Sequence, residues 1–245
     1  MREPKLRSVE KHKPPYPLNK FPAAFAESIA MQIVVNLYAV GESIEGAQWE
    51  EMFAKAIGAE WKPSNVGLDD IVLQQTAWGA KTVKNAKPLR ADRVRLISGR
   101  NSLDYSFNQS DSRSQPPGDV GEQVLSIWNE RVAGIKKRYQ HLRTVVLLKG
   151  PRLREIGIFE SETLQYNAKD FNWNWNSRKN LEGCRRSDDT HIFTWQPHGS
   201  QFTIIEDVPP SILGIKILRQ PPKMDAKKML EVIGYDKSWV KIFST

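Results

Sequence analysis

The stretch VGLDDIVLQQTAWGAKTVK, residues 66–84, decides the fold that we expect for this chain. It contains two segments of strand-like composition, VGLDDIVLQ from Val66 to Gln74 and AWGAKTVK from Ala77 to Lys84. Both segments contain apolar and β-branched residues, the second also contains Trp78, and the separation between the two segments is short. The stretch therefore predicts two adjacent strands joined as a hairpin.

Two helices are predicted before this hairpin. Residues 23–39, AAFAESIAMQIVVNLYA, have apolar positions at intervals of three and four without Pro or Gly. In residues 47–57, AQWEEMFAKAI, the side chains of Trp49, Met52, Phe53 and Ile57 share one face, and Gly58 is placed to end the helix.

The segments after the hairpin alternate between strands and helices. A strand is predicted at 92–99, a polar loop at 100–119, a helix at 121–139 and, at 144–150, TVVLLKG, a strand buried on both faces. Further strands are predicted at 155–160, 191–195 and 202–206, and a short helix at 225–234. This order, with a helix crossing over between strands, predicts an α/β fold with a central mixed β-sheet flanked by helices.

The domain organisation follows from the position of the prolines. Residues 1–22 contain Pro14, Pro15, Pro17 and Pro22 among lysines, and are predicted to form an extended arm. Such an arm lies on a neighbour or on DNA, or is a loosely held terminus. Residues 23–245 contain no clear linker and are predicted to form a single domain, whose C-terminal half, rich in Trp, Arg, Asn and Gln, is expected to contribute the recognition of DNA.

Composition narrows the classes of function. The formal net charge of +8 favours a polyanionic partner, most often nucleic acid. The single cysteine, Cys184, excludes an internal disulfide, and none of the four histidines is paired at a metal-ligand spacing. Walker A, GxGxxG and G-x-S-x-G motifs do not occur, so no nucleotide cofactor is expected. Without a secretory signal or an apolar segment of spanning length, we expect a cytoplasmic protein that does not enter a membrane.

Asp70 and Lys81 are the candidates for chemistry. Hydrolysis of a phosphodiester needs carboxylates that hold Mg²⁺ at the scissile phosphate, and a lysine that positions water or stabilises developing charge. Adjacent strands of a hairpin can present both kinds of group at one edge. On the second strand Lys81 faces the same side as Gly79, while Asp70 faces opposite to Asp69.

The segments Gly67-Leu68-Asp69-Asp70-Ile71 and Ala80-Lys81-Thr82 resemble the PD-(D/E)XK nuclease superfamily, especially the type II restriction endonucleases. The resemblance implies a restriction-endonuclease-like core. It also implies Mg²⁺-dependent, sequence-specific cleavage of double-stranded DNA, and a homodimer. Asp70 matches the metal-binding aspartate and Lys81 the catalytic lysine.

The sequence departs from that pattern at Gly79, which stands where the family has an acidic residue. The helix before the first strand often adds a glutamate in this family, which makes Glu50 or Glu51 the first choice for the missing carboxylate. Gln75 is a poorer substitute because its carbonyl is neutral, and Asp69 fits only if the strand bulges. We therefore expect Asp70, Lys81 and Glu50 to be catalytic, with Asp70 and Glu50 or Glu51 as metal ligands.

Several polar segments are candidates for contact with DNA. Arg100 and Asn101 follow a predicted strand, and their side chains suit phosphate, guanine and adenine; the alternative is a loop that satisfies its own turns. In Asn172-Trp173-Asn174-Trp175-Asn176, a strand would bury the tryptophans and expose the asparagines. The remaining candidates are Arg178, Arg185, Arg186, Gln196, His198 and Gln201.

Two other functions remain open at the level of sequence. A non-catalytic DNA-binding protein is favoured by the missing carboxylate at position 79. An RNA-binding or RNA-processing protein is favoured by the tryptophan-rich second half, because single-stranded bases stack on aromatic rings.

Overall fold

The computed structural model describes residues 10–63 and 67–243. Its first half contains helices α1 (Phe25–Ala39) and α2 (Gly46–Ile57), and strands β1 (Glu60–Trp61), β2 (Ile71–Leu73), β3 (Thr76–Lys84) and β4 (Arg93–Arg100). Helices α3 (Leu103–Phe107) and α4 (Pro117–Lys136) follow. The second half contains β5 (His141–Lys149), β6 (Glu155–Glu162), β7 (Phe171–Trp175), β8 (Leu181–Arg185), β9 (His191–Gln196), β10 (Gln201–Asp207), β11 (Leu213–Lys216) and helix α5 (Ala226–Val232).

The larger sheet is mixed and has the strand order β1-β2-β3-β5-β6-β11. Strands β2 and β3 form the antiparallel hairpin, and β3 pairs in parallel with β5, with Lys81 opposite Val146. Helix α4 lies in the connection between these two parallel strands. The apolar run of β5 is buried from Leu142 to Lys149, as expected for a central strand that is covered on both faces.

The smaller sheet is antiparallel and has the order β4-β10-β9-β8-β7. Its inner face packs on α4 through a shared apolar core that includes Trp128, Phe193 and Phe202. Gly121 of α4 lies against the ring of Trp173, where a Cβ atom would overlap the indole. The helix and the sheet can approach this closely because position 121 has no side chain.

Residues of the N-terminal arm lie on the mixed sheet. Tyr16 is buried, and its hydroxyl donates a hydrogen bond of 2.9 Å to the Glu160 carboxylate on β6. The Asn19 side chain donates to the backbone carbonyl of Glu160 and accepts from its N–H. This part of the arm is thus fixed to the protein itself. The first nine residues of the predicted arm lie outside the described residues.

The prediction of an α/β fold with a mixed sheet flanked by helices is confirmed. The two N-terminal helices, the crossover helix and strands β3, β4, β5, β6, β9 and β10 lie where the sequence predicts them, within a few residues. The second sheet was not predicted. The strand expected at 66–74 is shorter, covering Ile71–Leu73, and its expected first residue, Val66, lies outside the described residues. The segment predicted as a polar loop contains α3 and the first turn of α4.

No helix within the described ranges is both long enough and apolar enough to cross a membrane.

Candidate functional site

The loop that precedes β2 contains two neighbouring aspartates whose side chains interact with different groups. Leu68 is buried in the core shared with α4, and Asp69 and Asp70 are both buried. Asp69 forms an ion pair of 2.8 Å with Arg138, beyond the end of α4. Asp69 therefore holds the loop to the helix, whereas Asp70 interacts electrostatically with Lys81.

Two glycines let this loop cross strand β3 in direct backbone contact. Gly67 has φ +66°, the left-handed conformation that favours glycine. A Cβ atom at Gly79 would lie 2.8 Å from the Gly67 carbonyl oxygen and 3.2 Å from the Leu68 Cα. A carboxylate at position 79 has no room in this arrangement, which gives a steric reason for the glycine.

Asp70 and Lys81 meet beside Gly67. The Lys81 Nζ lies 3.5 Å from the Gly67 carbonyl oxygen, at the long limit of a hydrogen bond. An ideal Cβ atom on Gly67 would be 3.9 Å from the Lys81 Nζ and 4.0 Å from the Asp70 Oδ2. The hairpin thus brings the predicted aspartate and lysine together around one point of backbone.

Helix α2 brings Glu50 to the same place. Its apolar face buries Trp49, Met52 and Phe53, and Gly58, at φ +67°, ends the helix and directs the chain into β1. Trp61 of β1 then donates a hydrogen bond of 3.2 Å from Nε1 to the Glu50 Oε2. This contact holds a half-buried carboxylate beside the hairpin.

The pKa values of the site show that its charges interact. Burial raises the pKa of Glu50 above its usual range; the Trp61 hydrogen bond and Lys81 act against this shift, and the negative Asp70 adds to it. Burial lowers the pKa of Lys81, while Asp70 and Glu50 raise it and Arg131 lowers it further. Two carboxylates and two cations are therefore within electrostatic reach of one another.

Arg131 is a member of this group that the sequence analysis missed. It lies on α4, donates a hydrogen bond of 2.8 Å to the Ser98 carbonyl oxygen, and its pKa is lowered by burial. Gly99, at φ +115°, leaves room for it, because a Cβ atom there would overlap the guanidinium. Arg131 lies seven residues after Val124 and four before Ile135, on the apolar stripe of the helix. A charged residue at such a position is the sequence feature that could have identified it.

Asp70 and Glu50 form a donor set that suits Mg²⁺. Magnesium is commonly bound through one or two carboxylates together with water and substrate phosphate oxygens. Within residues 10–63 and 67–243, no group of three or more His, Cys, Asp or Glu side chains is placed to hold a metal ion. The remaining positions around a cation held here would therefore be filled by water and by substrate.

Glu51 does not join Asp70, and the expectation that it is a possible metal ligand is corrected. It is exposed and lines a groove between α1 and α2 with Met31, Val35 and Met52. The two glutamates are consecutive on a helix, so their side chains are rotated by about 100° from each other. Only Glu50 is directed to the hairpin.

Comparison with family models, with curated proteins and with solved structures found no match for this chain.

The polar loop after β4 does not present both of its predicted DNA contacts. Arg100 is exposed, but Asn101 is completely buried. The Asn101 amide donates 2.9 Å to the Val124 carbonyl oxygen of α4, and its backbone carbonyl accepts from the Trp195 indole. Asn101 therefore joins the second sheet to α4, and its assignment as a DNA contact is corrected.

Three other predicted contacts lie at the surface, and two of them have local partners. Arg185 forms a 3.0 Å ion pair with Asp188, and Arg186 donates 2.7 Å to the Lys169 carbonyl oxygen. His198 is exposed in the turn between β9 and β10. The structure does not bring these three residues to Asp70 and Lys81.

Arg178, Gln196 and Gln201 lie together around a polar recess. This recess, of about 540 Å³, is on the outer face of the second sheet, and its further lining residues include Arg95, Ile97 and Asn176. On β7, Trp173 is buried and Trp175 half-buried against the core, while Asn174 is exposed, which confirms the predicted alternation. Trp195 is also buried, so Trp173 and Trp195 are not available for stacking on single-stranded bases.

Proposed function

We propose that the protein is a Mg²⁺-dependent endonuclease that cleaves double-stranded DNA, built as a restriction-endonuclease-like member of the PD-(D/E)XK superfamily. One observation carries the proposal: Asp70 and Lys81 of the hairpin and Glu50 of the preceding helix come together at one place. Glu50 takes the role of the carboxylate for which position 79 has no room.

The connectivity around the site supports the same proposal. A helix precedes the hairpin, and α4 then connects β3, which carries Lys81, to its parallel neighbour β5. This arrangement presents the hairpin edge on one side of a buried sheet. It is the helix–strand–strand context on which the resemblance of the sequence relied.

Each side chain has a definite role in the proposed reaction. Asp70 and Glu50 would hold Mg²⁺, which when bound neutralises charge on the phosphate oxygens. Lys81 donates a hydrogen bond to the phosphate or to the attacking water, in a buried site where such interactions are strong. Arg131 adds positive charge to the site, which would favour the negative charge that develops on the phosphate during cleavage.

The test is cleavage of mixed-sequence duplex DNA in the presence of Mg²⁺. The wild-type protein is expected to give discrete fragments. Asp70→Asn and Glu50→Gln remove a ligand charge at nearly constant shape, and each is expected to reduce the rate by about 100-fold or more, the scale of a lost transition-state interaction. Glu51→Gln, on the next residue of the same helix, is the matched control and should cut at the wild-type rate.

Two results would contradict this proposal. Cutting by a folded Asp70→Asn protein would show that the site is elsewhere. Absence of any cutting by the wild-type protein, across duplexes that it binds, would favour the second candidate. That candidate is a DNA-binding protein without nuclease activity, which the side-chain-free Gly79 favours. It predicts salt-sensitive binding, because phosphate contacts release counterions whether or not cleavage follows.

The homodimer is part of the proposal, because a two-fold symmetric enzyme suits a palindromic DNA site. The mass of the protein in solution, measured with and without duplex DNA, tests it directly.

A further inference from the structure

The recess on the outer face of the second sheet is the strongest feature outside the proposed active site. It is formed where β4, β10 and β9 run side by side and the turn after β7 rises beside them. Its volume of about 540 Å³ lies within the usual range for small-molecule sites. The main apolar surface in it is Ile97, which is 58% exposed.

Some of the polar groups around the recess are held in place, and others are available. Arg95 donates 2.8 Å to the Thr194 hydroxyl, and Asn176 donates 2.6 Å to the Glu182 carboxylate, so both side chains are fixed. Gln196 and Gln201 are paired opposite each other on β9 and β10. Their amides, and the Arg178 guanidinium, make no hydrogen bond to any other described residue, and so can bind a ligand.

These groups match the edge of a nucleobase. Primary amides offer one acceptor and two donors in a plane, and arginine offers a fork of donors, which suits the acceptor pairs of guanine. Ile97 offers an apolar contact for the face of a base. The recess therefore has the donors, acceptors and apolar surface that binding of a single base requires.

The concave shape decides how DNA would present that base. The major groove accepts a protruding helix or a two-stranded ribbon, because its base edges lie at the bottom of a channel. A recess in the protein cannot reach these edges while the base stays stacked. It accepts a nucleotide that has swung out of the duplex.

We propose that the recess binds a nucleobase extruded from duplex DNA, with Gln196, Gln201 and Arg178 contacting its polar edge. The choice of DNA as the partner rests on the proposed function, whereas the recess itself does not take part in cleavage. The base that it selects would contribute to the sequence specificity of the protein.

The experiment measures binding without cleavage, in EDTA, to a short duplex in a paired form and in a form with one central mismatch. A 2-aminopurine at the central position reports unstacking by an increase in fluorescence. None of the described residues that line the recess is aromatic, so the extruded base keeps its emission. Since a mismatch lowers the cost of extrusion, the wild-type protein should bind the mismatched duplex roughly tenfold more tightly.

The double variant Gln196→Ala/Gln201→Ala is expected to lose this preference and the fluorescence increase, while it still binds the paired duplex. Asn174→Ala is the matched control, because Asn174 is an exposed amide of the same sheet outside the recess. Equal wild-type affinity for the two duplexes would overturn the proposal, as would a preference that survives in the double variant. Tighter binding to single-stranded RNA of the same sequence would also overturn it.

The outcome is separable from that of the nuclease test. Cleavage with no mismatch preference would remove the recess proposal alone. A mismatch preference that depends on Gln196 and Gln201, in a protein that never cleaves, would remove the nuclease proposal alone.

Discussion

At the scale of single residues, the site depends on Glu50, whose ionisation is made more costly by burial and by the neighbouring Asp70. Glu50 is partly buried and faces the negative Asp70, and both effects favour its protonated form. A divalent cation between them would reverse this balance, because it binds only the ionised carboxylates. If the protein is the proposed nuclease, the raised pKa of Glu50 predicts how its activity depends on pH.

As the pH is lowered, cleavage should therefore be lost at a higher pH than in a site whose carboxylates have ordinary pKa values. As the pH falls through the raised pKa of Glu50, a proton replaces the charge that holds the cation. Excess Mg²⁺ competes with that proton and should move the midpoint of the acid limb to lower pH. Initial cleavage rates across pH, at two Mg²⁺ concentrations, measure this shift.

The variant Trp61→Phe tests whether the pKa of Glu50 controls the acid limb of the activity profile. The Trp61 hydrogen bond lowers the pKa of Glu50, so its removal should move the acid limb to higher pH while cleavage at alkaline pH is retained. Trp239→Phe, at an exposed tryptophan near the C-terminus, is the control and should leave the profile unchanged. An acid limb identical to wild type in Trp61→Phe would show that Glu50 does not control it.

At the scale of elements, the hairpin and the loop before it pack in direct backbone contact, because Gly67 and Gly79 have no side chains. The Gly67 carbonyl lies against Gly79, and the same backbone carries Asp70 to Lys81. An acidic residue at position 79, as the PD-(D/E)XK pattern has it, would displace this loop. A carboxylate at position 79 and the observed path of the loop are thus mutually exclusive, whereas Glu50 of α2 is compatible with the observed path.

Gly79→Ala should therefore destabilise the protein, although it adds only one methyl group. The contact of 2.8 Å is with backbone, which cannot rotate away, and overpacking of this kind costs about 1–3 kcal/mol. Gly134→Ala is the matched control, because a Cβ atom there meets nothing within 4 Å on the exposed face of α4. In a helix that change is worth about 0.5–1 kcal/mol of stabilisation. Urea unfolding of both variants gives the comparison, and a Gly79→Ala protein as stable as wild type would contradict the crossing.

At the scale of the whole molecule, single helices and strands could be predicted from local sequence, whereas contacts between distant parts of the chain could not. Apolar periodicity predicts helices α1, α2 and α4, and a continuous apolar run predicts the central strand β5, because both patterns depend on neighbours along the chain. The pairing of β4 with β10 joins Arg95 to Ile205, and nothing near Arg95 in sequence indicates a second sheet. Asn101 was misassigned for the same reason, since its partner, the Val124 carbonyl, lies on a different element.

The site divides in the same way. Asp70 and Lys81 could be proposed from their spacing in one hairpin, and Glu50 from the family resemblance. For Arg131 the sequence offers only a position on the apolar stripe of α4, because its electrostatic contact with Lys81 depends on how α4 packs against the two sheets. The recess required three strands to align Gln196, Gln201 and Arg95, and only its individual polar residues were visible in the sequence.

The N-terminal arm is tied to the sheet at Glu160, and the contacts of this buried carboxylate lead to a further prediction. Glu160, on β6, accepts hydrogen bonds from Tyr16 and from the Trp78 indole, and it pairs with Arg143 of β5 at 3.3 Å. Both charged side chains are almost completely buried. Burial raises the pKa of Glu160, and Arg143 is the largest influence that lowers it.

Arg143→Met removes the cation and leaves the carboxylate buried, a change that costs about 3–5 kcal/mol of unfolding free energy. The pKa of Glu160 then rises further in the folded state, so the folded protein binds a proton more readily than the unfolded chain. The loss should therefore be greatest at neutral and alkaline pH, and should shrink as the pH falls through the raised pKa. Urea unfolding across pH measures this, and adding Glu160→Gln to Arg143→Met should remove the part of the pH dependence that the single variant adds, because position 160 then has no carboxyl to titrate. A loss that is equal at all pH values in the single variant would show that the pair acts through packing and not through charge.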